Sequence, residues 1–381
     1  MAKIDELLKE LCPDGVEWKE LVDVVKTISP PIKLKVDSYL RSGLFPIIDQ
    51  SKDQIAGYTD DISNTLPYGQ YILYGDHTLA VKYYEGRFAQ GADGLKFLLS
   101  KSSLPKYIYY CICAYNIQNN EYKRHWTQAK QIKLPLPPLP IQQHIVEVLD
   151  TFTDAISNLE EELALREKQF EYYREQLFNF DDETSLARKL FSDDREYLTL
   201  GKICEVYDGT HQTPKYTTEG IPFISVENIQ DIYGSQKFIS INDYNAYKVK
   251  PKVGDMFMTR IGSIGSCAVV DKQVELAYYV SLALLRPNPS LVNVRYLKHF
   301  LESNIGVTEI RKHSLLHAVP LKINKNDICK IMITLCSLST QQQIVEILDT
   351  FEAMIANIKE EIALRTKQYE YYREKLLSFG K

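Results

Sequence analysis

The sequence has no apolar run long enough to suggest a membrane span. Its opening stretch, MAKIDELLKELCPDG, reads as an amphipathic helix and not as a signal peptide. Positive charge is not in excess: 45 Lys and Arg stand against 50 Asp and Glu, a formal charge of −5. That excludes a protein whose whole surface coats nucleic acid, so any such contact must use local basic patches. The seven cysteines are an odd number and are scattered. Only Cys111 and Cys113 stand close, and no second Cys/His pair at finger spacing accompanies them. These thiols are expected to be reduced and mostly buried, in a cytoplasmic protein. No Ser-His-Asp set, phosphate loop or H-E-x-x-H is present, so no catalytic residue and no metal ligand is expected. Two near-motifs fail. SPPI, Ser29 to Ile32, resembles a methyltransferase base-stacking loop but has Ile32 where an aromatic must stack, and no Gly-rich cofactor loop precedes it. PDGVEWK, Pro13 to Lys19, carries the letters of a PD…ExK nuclease, with its acids too close to sit on separate strands around one Mg²⁺.

What the sequence does contain is a repeat. FEYYREQLF at Phe170 to Phe178 returns as YEYYREKLL at Tyr369 to Leu377. The match runs without a gap from Ile141–Phe180 to Thr340–Phe379 at an offset of 199, with roughly 25 of about 40 positions identical. Both copies open on a glutamine pair, Gln142-Gln143 and Gln341-Gln342. Apolar residues fall at Ile145, Leu149, Phe152, Ile156, Leu159, Leu163, Phe170, Tyr173, Leu177 and Phe180. The second copy repeats them from Ile344 to Phe379. Steps alternating four and three are a heptad seam. Neither copy contains Gly or Pro, so each predicts one helix of about 40 residues, roughly 60 Å long. The two matched seams predict an antiparallel, intramolecular pair. One position in each seam is polar, Arg166 and Arg365. They are expected to fix the register, Arg166 reaching Glu360 or Glu361 and Arg365 reaching Glu161 or Glu162.

After the first helix the chain resembles its own start. SLARKLFSDDREYLTLGKICEVY aligns with ELLKELCPDGVEWKELVDVVKTI, so that Leu7 matches Leu186, Trp18 matches Tyr197 and Val24 matches Ile203. The organisation is a globular unit and a long helix, twice: 1–138, 139–181, 182–337 and 338–381. Each globular unit reads as mixed α/β. PFISVENI and AYYVSLALLRPN are expected strands and GDMFMTRIGSIGSCAVV a strand-turn-strand. YILYGDHTLAVKYY and GLKFLLSK echo them in the first unit, and PKYIYYCICAYN and VRYLKHFLES are expected helices. The fold class is α+β with a coiled coil. The helices are nearly identical while the units have diverged, as suits one task performed on two targets. Like units on antiparallel helices would have approximate two-fold symmetry, matching the axis of duplex DNA.

Over essentially its whole length the chain resembles the specificity subunit of Type I restriction-modification enzymes. The resemblance rests on the QQ-x-I-V-E-hydrophobic-L-D helix starts, the doubled YYRE, CPDGVEW at Cys12 to Trp18, and YDGTHQTPKYTTEGIPFISVENI at Tyr207 to Ile229. FPIIDQSKDQIAGYTDD at Phe45 to Asp61 is similar to the corresponding loop of another branch. It implies two target recognition domains, each reading one half of a bipartite double-stranded DNA sequence. It also implies two methyltransferase subunits docked on the helices, with restriction subunits joining them. The chain itself would be non-catalytic and would hold no cofactor, S-adenosylmethionine, ATP and Mg²⁺ belonging to the partners. The rival readings are a DNA- or RNA-binding coiled-coil scaffold without modification partners and a structural spacer.

Candidate DNA contacts follow. DGTHQTPKY puts Thr210, His211, Gln212, Thr213 and Lys215 on one donor-rich loop, where Gln212 suits an adenine edge and Lys215 a phosphate; composition alone fits a solvated loop equally, and the resemblance implies the DNA contact. TRIGSIG sets Arg260 and Ser263 beside glycines whose N–H groups suit a phosphate, or form a plain hairpin turn. EYKRHWTQAKQIK carries Lys123, Arg124, His125, Lys130 and Lys133 around Trp126. Its counterpart IRKHSLLHAVPLKINKND carries Arg311, Lys312, His313, His317, Lys322 and Lys325.

Overall fold

The structure, a computed structural model, describes residues 2–30, 32–92, 94–117, 123–191 and 195–379. The chain forms two compact units whose boundaries fall inside the long helices: Met1–Glu160 with Glu360–Lys381, and Glu161–Lys359. The helices span Leu139–Phe178 and Leu338–Leu377. Neither is interrupted, because nothing after Pro140 in the first, and nothing in the second, removes a backbone donor.

Within each unit the helices run antiparallel. In the first, Phe152 stacks on Tyr372, with ring centroids 5.2 Å apart. In the second, Tyr173 stacks on Phe351 at 5.1 Å. Phe152 and Phe351 are repeat equivalents, as are Tyr173 and Tyr372, so each unit contains the same contact. This accounts for the doubled YYRE string. Its second tyrosine faces the other helix, and its first, Tyr172 or Tyr371, is exposed. Its arginine lies over the aromatic ring one turn back, Arg174 on Phe170 and Arg373 on Tyr369. Along the middle of the seam Ile156, Leu159 and Leu163 are only half-buried, since a pair of helices leaves a flank open. Burial is complete where the helix ends meet a globular core.

Those cores are built circularly. The first contains Ile141, Ile145 and Leu149 from the start of the first long helix, Leu376 and Leu377 from the end of the second, and Ile4 from the N-terminal helix. The second contains Phe170, Leu177 and Phe178 from the end of the first long helix, with Ile344, Val345 and Leu348 from the start of the second. Removing each such side chain from water is worth about 1.5–3 kcal/mol.

A two-stranded ribbon precedes each long helix. Glu17–Glu20 pairs with Lys133–Leu136 in the first unit, and Glu196–Thr199 with Met332–Leu335 in the second. The registers correspond: Trp18 opposes Pro135, and Tyr197 opposes Thr334. The first glutamine of each pair then locks the helix in place. The Gln341 side chain is fully buried. Its oxygen accepts from the Asn293 N–H (2.8 Å), and its amide donates to the Cys336 (2.9 Å) and Leu291 (3.1 Å) carbonyls. Gln142 accepts from the Leu104 N–H (3.0 Å) and donates to the Pro137 carbonyl (2.8 Å). Asn293 and Leu104 are the residues that open the helices Val294–Glu302 and Pro105–Tyr115. One side chain thus satisfies orphan groups of the strand end and of a neighbouring helix.

The first unit has a six-stranded sheet in the order Val25–Ile28, Leu95–Ser100, Thr65–Gly75, Val81–Gln90, Phe45–Ile48, Gly57–Thr59. The second splits the same plan in two. Cys204–Asp208, Leu282–Pro287, Met256–Thr259 and Cys267–Val269 form one sheet, and Phe238–Ile239, Ile221–Ile224 and Ala277–Tyr278 the other. The registers show why. Val81–Gln90 is one long strand, and its counterpart is broken into Cys267–Val269 and Ala277–Tyr278. The single strand expected over AYYVSLALLRPN is therefore two strands in different sheets, Ala277–Tyr278 and Leu282–Pro287. The strand expected over PFISVENI stops at Ile224, where Ser225 caps a short turn with Asn228. Among the described residues no helix is long and apolar enough to cross a membrane.

Candidate nucleic-acid interface

In the second unit the strand Cys204–Asp208 delivers the chain into the DGTHQTPKY loop. Gly209 is required there, because a Cβ would lie 2.4 Å from the Tyr279 backbone. Thr210 is then pinned, its N–H donating to the Tyr278 carbonyl (3.1 Å) and its carbonyl accepting from the Val280 N–H (3.0 Å). Beyond this anchor His211, Gln212, Thr213 and Lys215 are all exposed. The loop lines a cleft of about 790 Å³, together with Tyr247, Lys248, Tyr278 and Lys325. Lys325 lies over the Tyr207 ring at 5.9 Å. Cations, donors and aromatic faces around one cleft suit a nucleic-acid backbone and its base edges. The sequence reading missed Lys248, whose signal is the basic-aromatic alternation YKVK at Tyr247 to Lys250.

The structure corrects the expectation for Arg260. It is only 9% exposed. Its guanidinium pairs with Asp208 and its Nε donates to the Ile323 carbonyl (3.2 Å). Burial disfavours the charge and lowers its pKa from the ordinary value, and Asp208 is its paired carboxylate. Arg260 therefore holds the base of the DGTHQTPKY loop and does not reach out from it. The TRIGSIG glycines likewise form a hairpin turn: the Gly262 N–H donates to the Leu321 carbonyl (2.8 Å) and the Gly265 N–H to Thr259 (3.0 Å), so neither is left for a phosphate. Ser263 is exposed on that turn, and its carbonyl accepts from the Thr259 hydroxyl. Arg311 and Lys312 are exposed in the last turn of the helix Asn304–Lys312, where Lys312 pairs with Glu309. His313 is half-buried just past it. These three do not line the cleft.

In the first unit Lys123 and Arg124 are exposed, and Arg124 lines a cleft of about 540 Å³ with Lys33 and Lys96. Glu121, Tyr122 and Pro31 lie outside the described residues. Trp126 is a packing residue and not an exposed stacking platform. Its ring lies 5.6 Å from that of Tyr74, and its N–H donates to Asp76 Oδ1 (2.8 Å). Lys130 is half-buried, and its carbonyl accepts from the Val22 N–H (2.9 Å). Strand registers place Asp76 at the step Arg260 occupies in the second unit. Both are buried, and both carbonyls accept from the basic stretch, from the His125 N–H (2.8 Å) and the Ile323 N–H (3.0 Å). The two units share a frame and carry opposite charge at its centre.

Arg166 and Arg365 use partners on their own helices: Glu162 and Gln169 for Arg166, Glu361 and Gln368 for Arg365. In the second unit Lys359 and Glu167 form an ion pair across the helices at 2.8 Å. The repeat equivalents of these two residues are Glu160 and Thr366, which cannot reproduce it.

One cluster of donors has metal-ligand character: atoms of His299, Asp349 and Glu352 lie within 4.8 Å of one another. Two fixed cations already occupy it. Arg295 pairs with Asp349 (2.6 Å) and Glu352 (3.2 Å), and Lys298 with Glu352 (2.7 Å). Burial, helped by Lys298, holds His299 below its ordinary pKa. Burial pushes the Asp349 carboxyl up, but hydrogen bonds from Arg295 and His299 outweigh it and the net shift is down. The cluster is an ion network tying the helix Val294–Glu302 to the long helix. Its counterpart in the first unit is simpler: Lys106 and Tyr110 both meet Asp150, at 2.8 and 2.5 Å. Burial pushes the Cys111 and Cys113 thiols up to about 12 and about 11, so both are protonated at neutral pH.

The family model for the Type I restriction modification DNA specificity domain matches the chain twice, at residues 13–166 and 192–364. The specificity subunit of the Type I restriction enzymes EcoR124I/EcoR124II of Escherichia coli is 28% identical over 417 residues, covering 100% of this chain and 98% of that one. A chain of Haemophilus influenzae named as a type I restriction enzyme specificity subunit is also 28% identical, covering 96% of each. The crystal structure of a Type I restriction-modification S subunit from M. genitalium superposes with a TM-score of 0.65 at 15% identity, covering 95% of this chain and 96% of that one. The chain belongs to the family of Type I restriction modification DNA specificity domains and carries that domain twice.

Proposed function

We propose that each globular unit reads one half of a bipartite double-stranded DNA target, and that the long helices carry two methyltransferase subunits, which restriction subunits join. The observation that carries this reading is one frame built twice with differently furnished clefts. His211, Gln212, Thr213 and Lys215 line the second-unit cleft, while Lys33, Asp76, Lys96 and Arg124 line the first. Matched exposed apolar residues on the helices, Leu165 with Tyr172 and Leu364 with Tyr371, support two like docking surfaces. Chemistry, and with it S-adenosylmethionine, ATP and Mg²⁺, then belongs to the partners. The chain acts in the cytoplasm as a non-catalytic guide. Gln212→Leu combined with Lys215→Met tests the division of labour. Each specific contact is worth about 1–3 kcal/mol, so binding should fall about a hundredfold for one half-site, with the other read as before. Equal loss of preference at both halves rules the division out.

Arg166 and Arg365 are proposed to fix the register of the pair, since a slip would carry a guanidinium into apolar surroundings. Replacing both by Leu should leave stability equal or higher and yield mixed helix alignments, read by cross-links between cysteines placed along the seam. A uniquely aligned double variant would leave the arginines as side chains that only cover apolar surface.

A further inference from the structure

The first unit contains a buried polar group with no hydrogen-bond partner among the described residues. Gln90 ends the strand Val81–Gln90 and is 2% exposed, yet its side-chain oxygen has no hydrogen-bond partner. Leaving such an acceptor buried costs about 1–3 kcal/mol. The residue lines the 540 Å³ cleft, together with Ile28, Phe97, Asp76 and the cations Lys33, Lys96 and Arg124.

The place of this cleft in the frame identifies it. Gln90 opposes Ile48 across a parallel pair, as Tyr278 opposes Ile224 in the second unit. The loop after the first strand of each sheet is hung on that residue. The Leu34 N–H donates to the Gln90 carbonyl (3.0 Å), and the Thr210 N–H to the Tyr278 carbonyl (3.1 Å). Ser29 and Pro30 thus occupy the positions of Asp208 and Gly209 at the start of the DGTHQ loop, and Gln90 that of Tyr278, which lines the second-unit cleft.

Chemistry narrows the ligand further. An unmatched acceptor needs a donor, and the phosphates and deoxyriboses of DNA offer none. Among base edges, adenine N6 and cytosine N4 donate in the major groove and guanine N2 in the minor groove; of these, adenine is the one a carboxamide meets with both its atoms, at N6 and N7. The three cations suit the flanking phosphates. We infer that Gln90 is a specificity-determining residue of the first unit, reading an adenine edge that enters this cleft.

The inference rests on the two-half reading above and is tested in the full chain. Gln90→Met has nearly the same volume and no carboxamide. Wild type and variant are compared on the duplex that wild type prefers, selected from a randomised pool, with each base pair replaced in turn. The expected result is a loss of roughly ten- to hundredfold in discrimination at one A·T pair of one half-site. All other positions should be unchanged, and the melting temperature equal or higher because a buried unmatched acceptor has gone. Gln90→Glu, which keeps acceptors and loses the donor, should weaken adenine preference at that pair alone. Unchanged preference at every base pair overturns the assignment. So does lost preference accompanied by a lower melting temperature, which would make Gln90 a packing residue. A wild-type chain that prefers no sequence would instead sink the two-half reading itself.

Discussion

Asp208→Ala is expected to destabilise the second unit by about 3–5 kcal/mol, because it leaves the Arg260 guanidinium buried with one carbonyl for company. Arg260→Met should cost much less, on the order of 1 kcal/mol. Asp208 is about a third exposed, and water can solvate a carboxylate that has lost its partner. The asymmetry is the test. Urea denaturation, with hydrogen exchange to locate the change, should rank the two variants in that order, and equal costs or the reverse order would show that Arg260 is not effectively buried. The alanine variant should also lose preference at one DNA half-site, since Asp208 and Arg260 together fix the start of the loop bearing Gln212 and Lys215.

A comparable loss, about 3–5 kcal/mol, is expected for Gln341→Leu. The side chain nearly keeps its volume, but the Asn293 N–H and the Cys336 and Leu291 carbonyls all lose their partner inside the protein, at about 1–3 kcal/mol for each buried group left unmatched. Gln142→Leu should act likewise on the first unit. Protection from exchange should collapse in Val294–Glu302 for the first variant and in Pro105–Tyr115 for the second. A loss below about 1 kcal/mol, or protection lost equally in both units, would mean that apolar packing alone holds the helix starts.

The long helices were readable from sequence because every third or fourth residue repeats one demand over forty positions, and because the demand is stated twice. The correspondence of Trp18 with Tyr197 was readable too, from apolar spacing at low identity. Arg260 was misread for a physical reason. A cation at the end of a strand looks the same whether it meets water or a carboxylate 52 residues away, and only tertiary packing brings Asp208 to it. Trp126 was misread in the same way, its ring being taken up by Tyr74. The break at Tyr279 to Ser281 carries no local signal, since the residues around it are apolar throughout. Lys325 was legible as part of a basic cluster, but that it and Lys248 line one cleft with the DGTHQTPKY loop was not, because the three segments are far apart in sequence. The expected seam partners of Arg166 were plausible by charge, yet Glu162 stands one turn away on its own helix and reaches it first.

The circular construction of the cores has a consequence for synthesis. The second unit is one unbroken stretch, Glu161–Lys359, and every residue of its core is available once Lys359 has been added. The first unit begins earlier but cannot close then, because Leu376 and Leu377 belong to its core and are added afterwards. Domains generally fold as units while the chain grows at roughly 5–20 residues per second. The unit encoded first is therefore completed last. Until then Ile145 and Leu149 wait with one side uncovered, and a nascent chain halted before residue 360 would present a finished second unit tethered to an open first one.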